Sequence, residues 1–206
     1  MKKFLKIVSA FLAAAIFIAA ALFWALLGVS PPELLAQRLP LKDRIAAQYR
    51  ESVLLSDKSY FEKQEKNQCA GFSSAYLLRF LGEDIDGTQG YQEMKYTFRN
   101  GYVLPQSIQQ MVKKYGYDGR FYRGTVETLK MRLSANTPVI ALIGQGYHWQ
   151  HYVTVVGYDE NAVFIYDSNY DADNSSGYNR KMTIQEFSAV WHNGIPFFNT
   201  VYFAIE

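Results

Sequence analysis

Residues 7–29 form an almost unbroken apolar run, preceded by Lys2, Lys3 and Lys6 and followed by Pro31 and Pro32. No other feature divides the sequence so sharply. As a helix the run would measure roughly 35 Å, enough to cross a hydrocarbon core of about 30 Å. The core of a cleaved signal peptide usually has only about 7–15 apolar residues, so an uncleaved signal-anchor is the expectation. The lysines before the run then stay in the cytoplasm and the body lies outside it, at the membrane. Cleavage near the small residues Ala19, Ala20 and Ala21 would instead give a secreted body. The expected organisation is a transmembrane helix over residues 1–30, a helical stalk or linker over 31–52, and one domain over 53–206.

Of the 206 residues, 49% are hydrophobic and 19% charged, which excludes disorder for the bulk of the chain. With the three leading lysines set aside, 18 basic and 19 acidic side chains remain, a net of −1. A near-neutral body carries no electrostatic footprint for nucleic acid, so none is expected as a partner. The single cysteine, Cys69, excludes disulfide frameworks and Cys-based structural zinc sites. Nothing calls for a cofactor, and the sequence leaves the oligomeric state open.

Periodicity and end signals define the body. Residues 33–50 are amphipathic, with Pro40 interrupting, and read as the helical stalk. Residues 69–81 carry Phe72, Ala75, Tyr76, Leu77 and Phe80 at the spacing of a buried stripe, and Gly82 ends that helix. Helices are also expected at 105–115, between Pro105 and Gly116, and at 125–133, capped by Thr125. Thr183 and Glu186 have the spacing of a capping box and open a helix ending near Trp191. Strands are expected at 139–143, 151–156, 162–167 and 200–205, with a turn at 157–161 and a loop at 168–179. Helices first and an antiparallel sheet afterward make an α+β class.

Three residues carry potential chemistry: Cys69, His151 and Asp167. Cys69 opens a helix, where the partial positive charge of the N-terminus favours thiolate over thiol. His151 opens a strand, and Asp167 closes the next one. With an odd number of residues in the intervening turn, the two would share a face of the hairpin, directly opposite or diagonal. A carboxylate so placed orients one ring nitrogen and turns the other toward a thiol. With an even number the idea fails, and the sequence does not fix the register. The oxyanion formed in acyl transfer also needs donors, and Gln64 or Gln68 could join the Cys69 backbone N–H, Gln64 being preferred.

Gln64…Asn67-Gln68-Cys69-Ala70-Gly71-Phe72…Gly82 resembles the nucleophile helix of the double-glycine-type, bacteriocin-processing cysteine peptidases, in their broader peptidase-like branch. His151-Tyr152-Val153-Thr154-Val155-Val156-Gly157-Tyr158-Asp159 is similar to that family's histidine strand, and Val163-Phe164-Ile165-Tyr166-Asp167-Ser168 to the strand ending on its acid. The order Cys–His–Asp is that of papain-like folds. The chain departs from the family at Ala70, where Gly usually stands, and at Ser168, where Pro is common. The resemblance implies a papain-like cysteine peptidase with Cys69 as nucleophile, His151 as base, Asp167 orienting it and Gln64 serving the oxyanion. It implies a peptide or protein substrate and no metal. A cell-wall amidase or transpeptidase on the same fold, or an inactive relative that binds peptide, are the other readings.

Three weaker signals remain. Residues 167–173 alternate oxygen ligands as a calcium loop does, but Ala172 and Tyr178 replace the required Gly and Glu. Asn174-Ser175-Ser176 is a glycosylation sequon. His148, His151 and Asp167 have no spacing that demands a metal.

Overall fold

The computed structural model describes residues 2–171 and 177–206. The sequon, and the part of the calcium-like loop at Ala172 and Asp173, lie outside them. Helix α1 (Lys2–Leu27) contains the span Lys6–Leu27, long and apolar enough to cross a membrane, with mean hydropathy 2.6. Gly28 then turns the chain at φ +80°, and Val29 is buried. The last two residues of the apolar run therefore belong to the body.

The expected stalk is helical only in α2 (Pro31–Leu35), which Ser30 and Glu33 open with a capping box. Beyond Pro40 the chain is extended: β1 (Leu41–Lys42) pairs in parallel with β3 (Gly119–Arg123). Asp43, buried, fixes it by a bidentate ion pair to Arg132 at 2.9 and 3.0 Å and accepts a hydrogen bond from Tyr202. The apolar patch at 53–55 supplies β2 (Val53–Leu54), which pairs with the end of β5 (Trp149–Tyr158).

The helices follow their end signals. They are α3 (Cys69–Phe80), α5 (Pro105–Lys114), α6 (Val126–Ser134), which Thr125 caps, and α7 (Ile184–Trp191), which the Thr183–Glu186 box opens. A further short helix, α4 (Gly87–Gln92), has no apolar periodicity and was not expected. Its place is set by packing, since a Cβ at Gly71 of α3 would overlap the Tyr91 backbone.

The remaining strands are β4 (Val139–Gln145), β6 (Ala162–Tyr166), β7 (Arg180–Thr183) and β8 (Val201–Ile205). They form one sheet in the order β1-β3-β8-β4-β5-β6-β7, with β2 beside β5. The sheet is antiparallel except at β1–β3, so it is mixed. Both faces are covered, and this explains the apolar runs of the central strands. Ile140, Leu142, Tyr152 and Phe203 pack toward α3 and α5, whereas Ala141, Ile143, Val153 and Tyr202 pack toward α6 and α7.

Candidate active site

Helix α3 is buried along its whole length, and its first residue is Cys69. Asn67, two residues earlier, takes a left-handed φ of 55° and donates from Nδ2 to the Asn100 carbonyl at 2.6 Å. Asparagine tolerates that conformation better than most side chains. The turn aims the start of α3 into a cleft of about 640 Å³ that Cys69 and Tyr152 both line. At this position the Cys69 backbone N–H is among the four at a helix start that lack an intrahelical acceptor.

His151 and Asp167 are brought together by an irregularity. The β5–β6 turn is even: Tyr158 pairs with Val163, leaving four residues between them. Continued without a break, that register would put His151 and Asp167 on opposite faces. Between Val155 and Gly157 it shifts by one residue, so Val155 pairs with Ile165 and Thr154 with Tyr166. Such a bulge exchanges the faces of everything beyond it. His151 and Asp167 become diagonal neighbours, with His151 Nε2 at 2.7 Å from Asp167 Oδ1. Nδ1 is the ring nitrogen that Asp167 leaves free, and Cys69 is close enough to raise the imidazole's pKa. Trp149 stacks on the ring at 5.8 Å between centroids.

The carboxylate of Asp167 is fully buried and held from three sides. Oδ1 also accepts the Asn169 backbone N–H at 3.0 Å, and Oδ2 lies 2.6 Å from Nη1 of Arg180. Arg180 reaches it because β7 pairs with β6 through Ile165 and Arg180, a diagonal on the side opposite His151. Asn179 grips the Asp167 backbone, accepting its N–H and donating to its carbonyl, each at 2.8 Å. Sequence reasoning missed both residues, which only the topology brings beside the acid.

These contacts set the electrostatics. Burial favours a neutral Asp167 carboxyl, but hydrogen bonds and charge from His151 and Arg180 outweigh it and hold the group below the usual carboxylate range. For His151, burial alone would lower the pKa. The hydrogen bonds and negative charge of Asp167 and Cys69 prevail and push it up to about 10. The arrangement favours an imidazolium between two acids.

Gln64 is buried, but its side chain is tied to the loop after Asp167. Its Oε1 accepts from Ser168 Oγ at 2.8 Å, and its Nε2 donates to Asn169 Oδ1 at 3.2 Å. Ser168, where the resembling family often has Pro, thus anchors this glutamine. Gln68 is the N-cap residue of α3, and its side chain makes no capping hydrogen bond. His148 is exposed, and His192 is an exposed C-cap residue that meets Asn199. Among the described residues no cluster of three His, Cys, Asp or Glu could hold a metal ion.

A helix that starts on a cysteine, packed against a sheet that carries a histidine–aspartate pair, defines the papain-like α+β fold. Residues 56–194 match the model of the peptidase C39 like family, and the chain belongs to that family. No curated protein matches it in sequence. Among solved structures it is similar to a C39-like peptidase from Bacillus anthracis (TM-score 0.62, 18% identity, 76% of this chain and 98% of that one). It is also similar to the peptidase domain of Streptococcus ComA, a bi-functional ABC transporter of a quorum sensing pathway (TM-score 0.56, 18% identity, 72% and 97%). A double glycine motif protease from an AMS/PCAT transporter, solved with its leader peptide, matches with TM-score 0.51 at 19% identity over 82% and 98%. These likenesses bear on fold.

Proposed function

We propose that the chain is an exported, membrane-anchored cysteine peptidase that works through Cys69, His151 and Asp167. The observation that carries the reading is the 2.7 Å contact between His151 Nε2 and Asp167 Oδ1, which leaves the other ring nitrogen to Cys69. In the reacting pair the Cys69 proton passes to Nδ1 of His151, giving thiolate and imidazolium. The thiolate attacks the scissile carbonyl carbon, forming a C–S bond and moving the carbonyl π electrons onto oxygen. The Cys69 N–H and Gln64 stabilise that oxyanion; among the described residues, Gln64 Nε2 donates only to Asn169, which leaves a second proton for the purpose. Collapse breaks the C–N bond, and the Nδ1 proton passes to the departing amine. His151 then takes a proton from water as its oxygen attacks the thioester. The thiolate leaves, the acid product departs, and the ion pair is restored.

Membership of the cysteine peptidase family supports this chemistry, and the Lys6–Leu27 span with lysines before it supports the anchor and its direction. The test is proteolysis by the full chain in detergent micelles on a mixture of peptides of known sequence. New termini should appear with the unmutated chain and vanish with Cys69→Ala. Cell-wall fragments cut while the peptides stay whole would move the chemistry to an amidase. Equal cleavage with and without Cys69 would end the reading.

A further inference from the structure

We infer that residues 27–39, outside the family-matched region, form the substrate-selecting wall of the cleft and that the occupant is an uncharged, apolar peptide segment. The inference rests on the peptidase reading above and adds the substrate class and the residues that choose it.

The first observation is the composition of the cleft. None of its lining residues is Asp, Glu, Lys, Arg or His. Tyr102, Leu142 and Phe198 line it together with Leu27, Leu34 and Leu39 of the N-terminal segment. A charged peptide side chain entering such a cleft would lose its water and find no partner of opposite charge. An apolar side chain would gain from the same desolvation. Because Cys69 lines the cleft, the cavity that an occupant would fill reaches that residue.

The second observation is how the N-terminal wall is held. The Arg99 N–H donates to the Leu27 carbonyl at 2.9 Å, and Val29 is buried just beyond. Gln37 and Arg38 exchange hydrogen bonds with Gln106 at the start of α5, each at 3.2 Å. Two stitches therefore fix the segment across the domain, and this is not how a free tether behaves. The short helix α2 also sorts its leucines. Leu34 is half-buried and lines the cleft, whereas its neighbour Leu35 is 86% exposed and does not. Leu39, although 59% exposed overall, borders the cavity.

The third observation is continuity. Leu27 is the last residue of the helix that carries the apolar span, so the wall of the cleft begins where that span ends. On the anchored reading proposed above, this wall lies at the end of the body nearest the membrane. There an apolar stretch of polypeptide is a more available occupant than a charged one.

The test compares two thiol reagents on the full chain in lipid nanodiscs. Iodoacetamide is small and reports Cys69 reactivity alone. Leucyl-leucyl chloromethyl ketone, from which the sulfur displaces chloride, must also seat its side chains. The rate ratio of the second to the first should fall by about tenfold in Leu34→Asp and Leu39→Asp, the loss expected when an apolar contact becomes a desolvated charge. It should stay within about twofold in Leu35→Asp. The diglutamyl analogue should react more slowly than the dileucyl reagent with the unmutated chain. Equal ratios in Leu34→Asp and Leu35→Asp, or a diglutamyl reagent as fast as the dileucyl one, would overturn the inference. A Cys69 that reacts with iodoacetamide like a free thiol at every pH would instead overturn the peptidase reading beneath it.

Discussion

The β5–β6–β7 ribbon and the N-terminal segment from Gly28 to Asp43 border the same cleft region but are held in different ways. In the ribbon every element of the candidate site has more than one support. Asp167 is gripped by His151, Arg180 and the Asn169 amide, and its backbone is clamped by Asn179. The N-terminal segment rests on the short β1–β3 pairing, the hydrogen bonds of Gln37 and Arg38 with Gln106, and one buried ion pair, Asp43 with Arg132. Redundant support suits groups that must be placed to a fraction of an ångström, whereas a wall that selects substrates needs only shape and polarity. Damage to the ribbon should therefore appear as lost chemistry, and damage to the segment as lost stability or altered selection.

The largest expected effect is in the ribbon. Asp167→Asn should lower peptide hydrolysis by about 10²–10⁴-fold, because the imidazole loses the charge that fixes its tautomer. Circular dichroism should show the fold retained. In the segment, Asp43→Ala leaves Arg132 without its carboxylate partner and Tyr202 with Thr128 Oγ1 alone as acceptor. The cost should be on the order of 2 kcal/mol by chemical denaturation, less than for a fully buried pair because Arg132 keeps an edge in solvent. The rate of Cys69 alkylation should scarcely change.

Arg180 sharpens the contrast, because it lies in the ribbon without being one of the reacting groups. Arg180→Met should lower hydrolysis by about tenfold and shift the pH profile, as Asp167 becomes easier to protonate. Arg180→Lys should restore most of the rate; a purely structural role would give a stability loss with an unshifted profile.

The smallest effect is in pH-dependent stability. The pKa of His151 is pushed up from the ordinary 6.5 to about 10 by Asp167 and Cys69, so its stabilising contribution is complete below about 6.5 and disappears as pH rises toward about 10. Asp167, whose pKa is lowered, contributes above its unfolded value of 3.8 and loses that contribution as pH falls through its folded value. Thermal midpoints of the unmutated chain should drop between about pH 7 and 10, and His151→Gln should flatten that drop.

The parts legible in the sequence are those written in local physics. The stripe of α3, Pro105 before α5, Thr125 before α6 and the Thr183–Glu186 box each mark an element through its own residues. The strands expected at 139–143, 151–156, 162–167 and 200–205 are legible because a sheet covered on both faces needs continuous apolar runs, and the structure extends the first to 145 and the second to 149–158. The remaining elements depend on neighbours. Strands β3 and β7 carry Arg120, Arg123, Arg180 and Lys181 and exist because partners pair with them. Helix α4 forms against Gly71, and the segment around Leu41 is a strand because β3 offers an edge.

The candidate site divides in the same way. Cys69, His151 and Asp167 were visible as residue types at element ends. The bulge at Val156 was not, and the even turn of the hairpin argues against the pair unless the bulge is known. Gln64 was expected from its place upstream of the cysteine, but its ties to Ser168 and Asn169 follow only from the fold.

The most direct test of the central claim is the rate of Cys69 alkylation by iodoacetamide as a function of pH, in the full chain and in His151→Ala. A His-activated thiolate gives a midpoint well below the ordinary thiol value of about 8.5, moving upward in the variant. An ordinary midpoint in the full chain, unchanged by His151→Ala, would contradict the account and leave Cys69 a structural residue.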